Sequence, residues 1–140
     1  MGRILAIDYG RKRTGLAATD PAQIIANGLC TVETHRLWDY LCSYVAAEQV
    51  DRIVIGMPTQ TNGQPSENQR NIIPFINRWR KSFPQIPIVE WDERFTSVMA
   101  QRTMLDAGLG KMARRNKALV DEISATIILQ SYMESKAIDH

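Results

Sequence analysis

Four acidic residues carry most of the chemical information in this 140-residue chain. Asp8 closes the short run Arg3-Ile4-Leu5-Ala6-Ile7, which places it at the carboxyl end of a predicted strand, where open α/β sheets tend to put their ligands. An aspartate just before Gly10 is also an ordinary turn former, and both readings stand. Asp121 lies on a predicted helix, within about 40° of arc at 100° per residue of Ala125, Ile128 and Tyr132, so it points where an apolar face packs. A helix dipole worth a few tenths to about 1 kcal/mol explains a carboxylate in a first turn, but not its choice of face. Asp92 and Glu93 follow directly on the last predicted strand. Alternation sends them to opposite faces, so only one can join Asp8, and the spacing leaves open which.

If three carboxylates converge, each pair of charges at 4 Å repels by about 4 kcal/mol at an effective dielectric of 20, so the cluster needs a shared proton or cation. Oxygen donors without histidine or cysteine select hard cations, Mg²⁺ or Mn²⁺, over zinc. Two such ions about 3.5–4 Å apart can activate a water and stabilise the leaving oxygen of an in-line phosphodiester displacement. The phosphates flanking that bond then need cations. Lys and Arg exceed Asp and Glu by 17 to 15, a net charge of only +2, but their distribution is uneven. Arg11-Lys12-Arg13, then Arg78, Arg80 and Lys81, then Lys111, Arg114, Arg115 and Lys117 form three basic clusters. Each alone reads as a solvated face; together they can make a phosphate-binding surface.

The elements that must hold these residues are legible from periodicity. Residues 3–9 read as a central strand buried on both faces, followed by extended segments at Thr14–Thr19 and Ile24–Val32 in an antiparallel meander. Leu37, Leu41, Tyr44, Val45 and Glu48 share a stripe of a helix over about 35–49. Arg52–Met57 is a buried strand, parallel to the first because a helix precedes it. Ser66 and Gln69 have capping-box spacing ahead of a stripe at Ile72, Ile73, Ile76 and Trp79, but Pro74 predicts a kink or a later start. Ile86–Trp91 is an edge strand because of Pro87. Thr96 or Ser97 caps a helix to about Ala107, a basic loop covers 108–116, and a final helix runs from Lys117 to Ser135. The result is one domain over 1–140 with a five-stranded mixed sheet and helices on both faces, an arrangement that resembles the ribonuclease H-like fold.

Composition removes other classes. Hydrophobic residues are 44% and charged residues 23%, which suits a globular domain. A domain of this size buries roughly 68–70% of its unfolded surface and needs no disulfides. No uninterrupted apolar run exceeds four residues, which excludes a bilayer span, and the absence of a secretory pattern predicts a cytoplasmic protein. Cys30 and Cys42 fit neither a zinc site nor a redox pair and read as reduced thiols. His35 and His140 are isolated. Trp38, Trp79 and Trp91 read as core or half-buried, whereas Tyr9 and Phe95, beside the acids, are better placed to stack on bases. Asp20-Pro21 reads as a turn.

Four segments resemble the YqgF family, known also as Holliday junction resolvases and as pre-16S ribosomal RNA nucleases. They are Ile7-Asp8-Tyr9-Gly10 with Thr14-Gly15-Leu16-Ala17; Ile55-Gly56-Met57-Pro58 with Asn62-Gly63; Asp92-Glu93-Arg94-Phe95-Thr96-Ser97; and Lys117 through Asp121 to Ser124-Ala125, followed by Ile127 to Tyr132. Their order and spacing span nearly the whole chain. The resemblance implies a ribonuclease H-like fold, Asp8, Glu93 and Asp121 as the metal-binding, catalytic triad, and Asp92 as a supporting residue. It implies a metal-dependent hydrolase that matures the 5′ end of 16S ribosomal RNA, with resolution of branched DNA as the alternative. Arg11, Lys12, Arg13, Arg94, Arg114, Arg115 and Lys117 are the expected nucleic-acid contacts, Mg²⁺ or Mn²⁺ the expected cofactor, and the protein a monomer or homodimer that binds no membrane. Pro74 departs from the family pattern. Two other classes compete: a non-catalytic nucleic-acid-binding scaffold, and a sugar-kinase or actin-like ATPase, which needs two domains where this chain has room for one.

Overall fold

The computed structural model describes residues 2–58, 68–93 and 117–138. The sheet is built from β1 (Arg3–Asp8), β2 (Arg13–Thr19), β3 (Ala26–Glu33), β4 (Val50–Met57) and β5 (Ile88–Asp92), in the order β3-β2-β1-β4-β5. β1 is therefore central and β5 is an edge, both as predicted. β1–β2 and β2–β3 pair antiparallel; β1–β4 and β4–β5 pair parallel. The helices are α1 (Leu37–Ala47), entered through a single 3₁₀ turn at Thr34–Arg36, α2 (Gln69–Ser82) and α3 (Lys117–Ile138).

Alternation along the strands divides two cores. Leu5, Ile7, Leu16, Ala18, Ile53, Ile55 and Ile88 face α1 and α2, packing on Leu37, Leu41, Ile72, Ile76 and Trp79. Ile4, Ala6, Ala17 and Val54 face α3, packing on Ala125, Ile128, Leu129 and Tyr132, with Val89 and Trp91 against them. The unbroken apolar run of β1 thus serves both layers, as a strand covered on both faces must. Arg52 Nη1 donates to the Tyr132 hydroxyl at 2.7 Å, fastening the distal half of α3 to the start of β4.

Two expectations are adjusted, and the later start predicted for α2 is met. Glu48 leaves the helical stripe: it caps α1 in an extended conformation, φ −123° and ψ 143°. Ile73 is 45% exposed, because Ile72, Ile76 and Trp79 already complete a stripe at i, i+4 and i+7 and Ile73 lies 100° away from the first. α2 begins at Gln69 after Asn68, with Pro74 inside it. Ser66, the helix expected at 96–107 and the loop 108–116 lie outside the described residues. Pro87 stands just before β5, where its carbonyl accepts from Ile53 N at 2.9 Å and its missing amide costs no sheet bond. Cys30 and Cys42 are free and half-buried. Asp20 makes the turn before β3, accepting from the amides of Ala22, Ile24 and Ile25. No described helix is long and apolar enough to cross a membrane.

Candidate active site

Asp8 is the last residue of β1, and its side chain follows Ile4 and Ala6 onto the α3 face. On either side of it the neighbouring strands present glycines. Gly15 of β2 is its antiparallel partner, and Gly56 of β4 follows Ile55, the partner of Ile7. Both glycines are required by close approach. A Cβ on Gly15 would run into the backbone carbonyl of Asp121, and one on Gly56 would lie 2.7 Å from Glu93 Oε1 and 2.6 Å from Ile128 Cδ1. Two missing side chains therefore let the first turns of α3 and the end of β5 close over Asp8.

Glu93 comes in from β5. Val89 and Trp91 pack toward α3, so alternation carries Glu93 to that same face and Asp92 to the other. Asp8 and Glu93 are hydrogen-bonded through their side chains, a bond that requires one of the two acids to carry a proton. Burial, then the charges of Glu93 and Asp121, push the Asp8 carboxyl up from 3.8 to about 7. Burial also raises Glu93. Both shifts favour the protonated form, the expected response of two acids buried side by side.

Asp121 is near enough to act on Asp8 through its charge, but its own carboxylate is engaged elsewhere. Arg13 Nε donates to Asp121 Oδ2 at 2.9 Å, with the two side chains 41% and 22% exposed. Arg13 opens β2 and was expected to contact phosphate; here it balances an acid. Asp121 does share its face with buried Ala125, Ile128 and Tyr132, as the helical spacing predicts.

The donors in this cluster are all carboxylate oxygens, the set a hard divalent cation takes, and Mg²⁺ typically uses one or two carboxylates with water and substrate phosphates completing its shell. Asp8 and Glu93 supply two within hydrogen-bonding reach of each other, so these residues fit such an ion. Among the described residues no group of three or more such side chains is assembled to hold a metal by itself, and the Asp121 carboxylate is bonded to Arg13.

The basic loop between β1 and β2 is held from below. The Thr34 hydroxyl donates to the Gly10 carbonyl at 2.7 Å and receives the Thr14 hydroxyl at 2.9 Å, while Thr34 N donates to Lys12 O at 2.9 Å. Arg11, Lys12 and Arg13 are exposed on it. Of the second cluster, Arg78 lies 3.8 Å over the Trp38 ring and Arg80 donates to the Ile88 carbonyl at 3.3 Å, so both serve packing. Trp79 is fully buried, and Trp38 and Trp91 are half-buried, as expected. Tyr9 is half-buried against Phe75, ring centroids 5.6 Å apart. Arg94, Phe95, Lys111, Arg114 and Arg115 lie outside the described residues, as does the side chain of Lys117. Gly15, Gly56 and the Arg13–Asp121 pair were not anticipated. The glycines sit in the quoted motifs, but only the pairing of β1 with β2 and β4 reveals that they flank Asp8.

Residues 2–135 match a family model described as "RuvX: Holliday junction resolvase". A "Putative pre-16S rRNA nuclease" of Phocaeicola vulgatus is 65% identical over 136 residues, covering 97% of this chain and 98% of its own. Proteins of the same name from Porphyromonas gingivalis and Flavobacterium johnsoniae are 62% and 56% identical, covering 96% and 97% of this chain and 98% and 99% of their own. Among solved structures, the Fowlpox virus resolvase in complex with substrate Holliday junction DNA superposes with a TM-score of 0.59 at 15% identity, over 96% of this chain and 98% of that one. At that identity the likeness is one of fold, and it is ribonuclease H-like.

Proposed function

The chain belongs to the RuvX family of Holliday junction resolvases, and from that premise we propose that it is a divalent-metal-dependent endonuclease whose principal substrate is the 5′ end of pre-16S ribosomal RNA. The observation that carries this reading is the meeting of the Asp8 and Glu93 carboxyl groups at the carboxyl end of the central strand, where Gly15 and Gly56 leave room for them. Residues 1–140 act as one nuclease domain, working in the cytoplasm where precursor ribosomal RNA is made.

Asp8 and Glu93 would hold Mg²⁺ or Mn²⁺, with Asp121 joining once it leaves Arg13. Such an ion supplies Lewis-acid activation of a water and stabilises charge on the leaving oxygen. The chain does the rest. Asp8 and Glu93 would be ionised as ligands of that ion. Arg13, once apart from Asp121, would be available to a backbone phosphate, and Arg11 and Lys12 on the same loop to neighbouring ones. Arg94, Arg114, Arg115 and Lys117 are proposed as further phosphate contacts on the sequence resemblance alone. Packing of α3 through Ala125, Ile128 and Tyr132 keeps the acids in place.

A second reading, resolution of branched DNA, is favoured by the family's description, since both substrates present phosphodiesters to the same acids. Purified protein is assayed on precursor 16S ribosomal RNA and on a four-way DNA junction side by side, with Mg²⁺ or Mn²⁺. Cleavage of the RNA is expected, with Asp8→Asn lowering it on the order of 10⁴-fold while circular dichroism stays unchanged. A protein that cleaves neither substrate, or an Asp8→Asn protein that still cleaves, overturns the proposal. A scaffold without catalysis would show no carboxylate-dependent thermal stabilisation by Mn²⁺.

A further inference from the structure

The opposite face of the same sheet end carries a second polar site. A cavity of about 300 Å³ is lined by Tyr9, Arg11, Arg70, Asn71 and Pro74. Tyr9 follows Asp8 in sequence and points away from it, toward α1 and α2, so the cavity and the carboxylates lie back to back across the end of β1. Its walls are fastened to one another. Asn68, just ahead of α2, donates through Nδ2 to the Tyr9 carbonyl at 2.8 Å, and the Tyr9 ring leans on Phe75 of α2.

Two arginines enter this cavity, and neither is paired with a carboxylate among the described residues. This contrasts with Arg13, Arg78 and Arg80, each of which has a partner within the protein. Two exposed guanidinium groups lining one hollow suit a bidentate oxyanion, above all a phosphate. Beside them, an aromatic ring and a proline ring provide flat apolar surface. Pro74 is an unexpected residue at the sixth position of a helix, because it removes the amide that would bond the Arg70 carbonyl. A helix that carries this cost where its ring borders a cavity points to selection for the cavity.

We propose that this pocket is a nucleotide subsite, in which the phosphate of an unpaired nucleotide flanking the scissile bond is held between Arg11 and Arg70 while its sugar and base lie on Tyr9 and Pro74. The proposal rests on the nuclease reading above for the path of the strand, which would cross the end of β1 from the acids to the pocket. The cavity is at the low end of small-ligand sites, so it takes one nucleotide unit rather than the face of a duplex. A substrate with a single-stranded segment beside the cleaved bond is thereby favoured over a fully paired one.

The test is equilibrium binding of a fluorescent single-stranded RNA hexanucleotide and its DNA counterpart in EDTA, across a salt series. Arg11→Gln and Arg70→Gln should each weaken binding of either hexanucleotide about tenfold and lower the salt slope by about 0.7. The double variant should lose less than the product of the two, because both arginines hold one phosphate. Lys136→Gln, at the far end of α3 where Nζ lies 5.5 Å over the Tyr132 ring, should bind as the unsubstituted protein does. All three positions are exposed, and melting curves check that the fold is kept. Wild-type protein that fails to bind the hexanucleotides, or arginine variants that bind them normally, overturns the pocket. In the second case continued cleavage by the wild type shows that the nuclease reading survives. Arginine-dependent binding without any cleavage leaves the pocket standing and removes the nuclease reading instead.

Discussion

Two acids on the same face of the sheet are relieved of their charge by different means. Asp121 meets a guanidinium: Arg13 donates to it at 2.9 Å, and the pair sits at the surface where water screens both. Asp8 lies deeper, between Gly15 and Gly56, and the charged groups that act on it most are Glu93 and Asp121, both acids. It is relieved by a proton. A carboxylate already matched by arginine has little to gain from a cation, whereas a carboxylate that must hold a proton near neutrality gains a great deal. On the proposed function, the Asp8–Glu93 side is where divalent charge would be taken up, and Asp121 would have to leave Arg13 to join it.

The largest effect expected from this contrast is on stability against pH. Raising the Asp8 pKa from 3.8 to about 7 means that the folded state resists its ionisation. Stability from this group is therefore fully present below about pH 4, is lost as pH rises toward 7, and changes little beyond. The shift corresponds to roughly 4 kcal/mol at full ionisation. Glu93, also raised by burial, works in the same direction. Urea denaturation in EDTA from pH 4 to 8 should show this decline, and Asp8→Asn should flatten it. A wild-type profile that is level, or that rises with pH over this window, would show that the two acids are not crowded as described.

A smaller effect comes from the glycines that allow the crowding. In Gly15→Ala the new methyl would meet the Asp121 backbone carbonyl, which cannot rotate away, so α3 must shift from β2. Overpacking of this kind costs about 1–3 kcal/mol, readable as a lower denaturation midpoint. In Gly56→Ala the obstacles are the ends of flexible side chains, Glu93 Oε1 and Ile128 Cδ1. That variant should lose less stability than Gly15→Ala, and because it pushes Glu93 from Asp8 it should also narrow the pH dependence. Equal losses in the two variants would contradict the distinction between a backbone and a side-chain contact.

Which parts of this were legible beforehand follows from range. The position of Asp8 at a strand end and the inward face of Asp121 depend on periodicity within one element, and both stood out. The choice between Asp92 and Glu93 depends on which face of β5 meets α3. Ile88, Val89 and Trp91 are apolar on both faces, so alternation without a partner helix could not decide it. Arg13 and Asp121 are 108 residues apart, and nothing local distinguishes an arginine that will pair with an acid from its neighbours Arg11 and Lys12. Pro74 conflicted with helix propensity, and the conflict was visible, but its place on a cavity wall depends on the approach of β1 to α2. Gly15 and Gly56 gain their meaning only from the register of three strands.

The smallest change in stability, and the sharpest probe of the contrast, is expected from Arg13→Gln. The ion pair it removes is 41% exposed on the arginine side, and surface pairs contribute about 1 kcal/mol or less, so the metal-free protein should melt within a few degrees of the original. Metal binding should respond more. Arg13 competes for the Asp121 carboxylate; without it the Asp121 charge that acts on Asp8 is left uncompensated. Mn²⁺ titration followed by melting temperature at pH 8 should then show half-maximal stabilisation at a several-fold lower Mn²⁺ concentration than in the unsubstituted protein. Cleavage should nonetheless fall, because the same guanidinium is needed at a phosphate once Asp121 is released. Tighter metal binding with slower cleavage separates this role from a simple phosphate contact, which would lower cleavage and leave the Mn²⁺ midpoint where it was. An unchanged midpoint would mean that Arg13 does not hold Asp121 back from the other two acids.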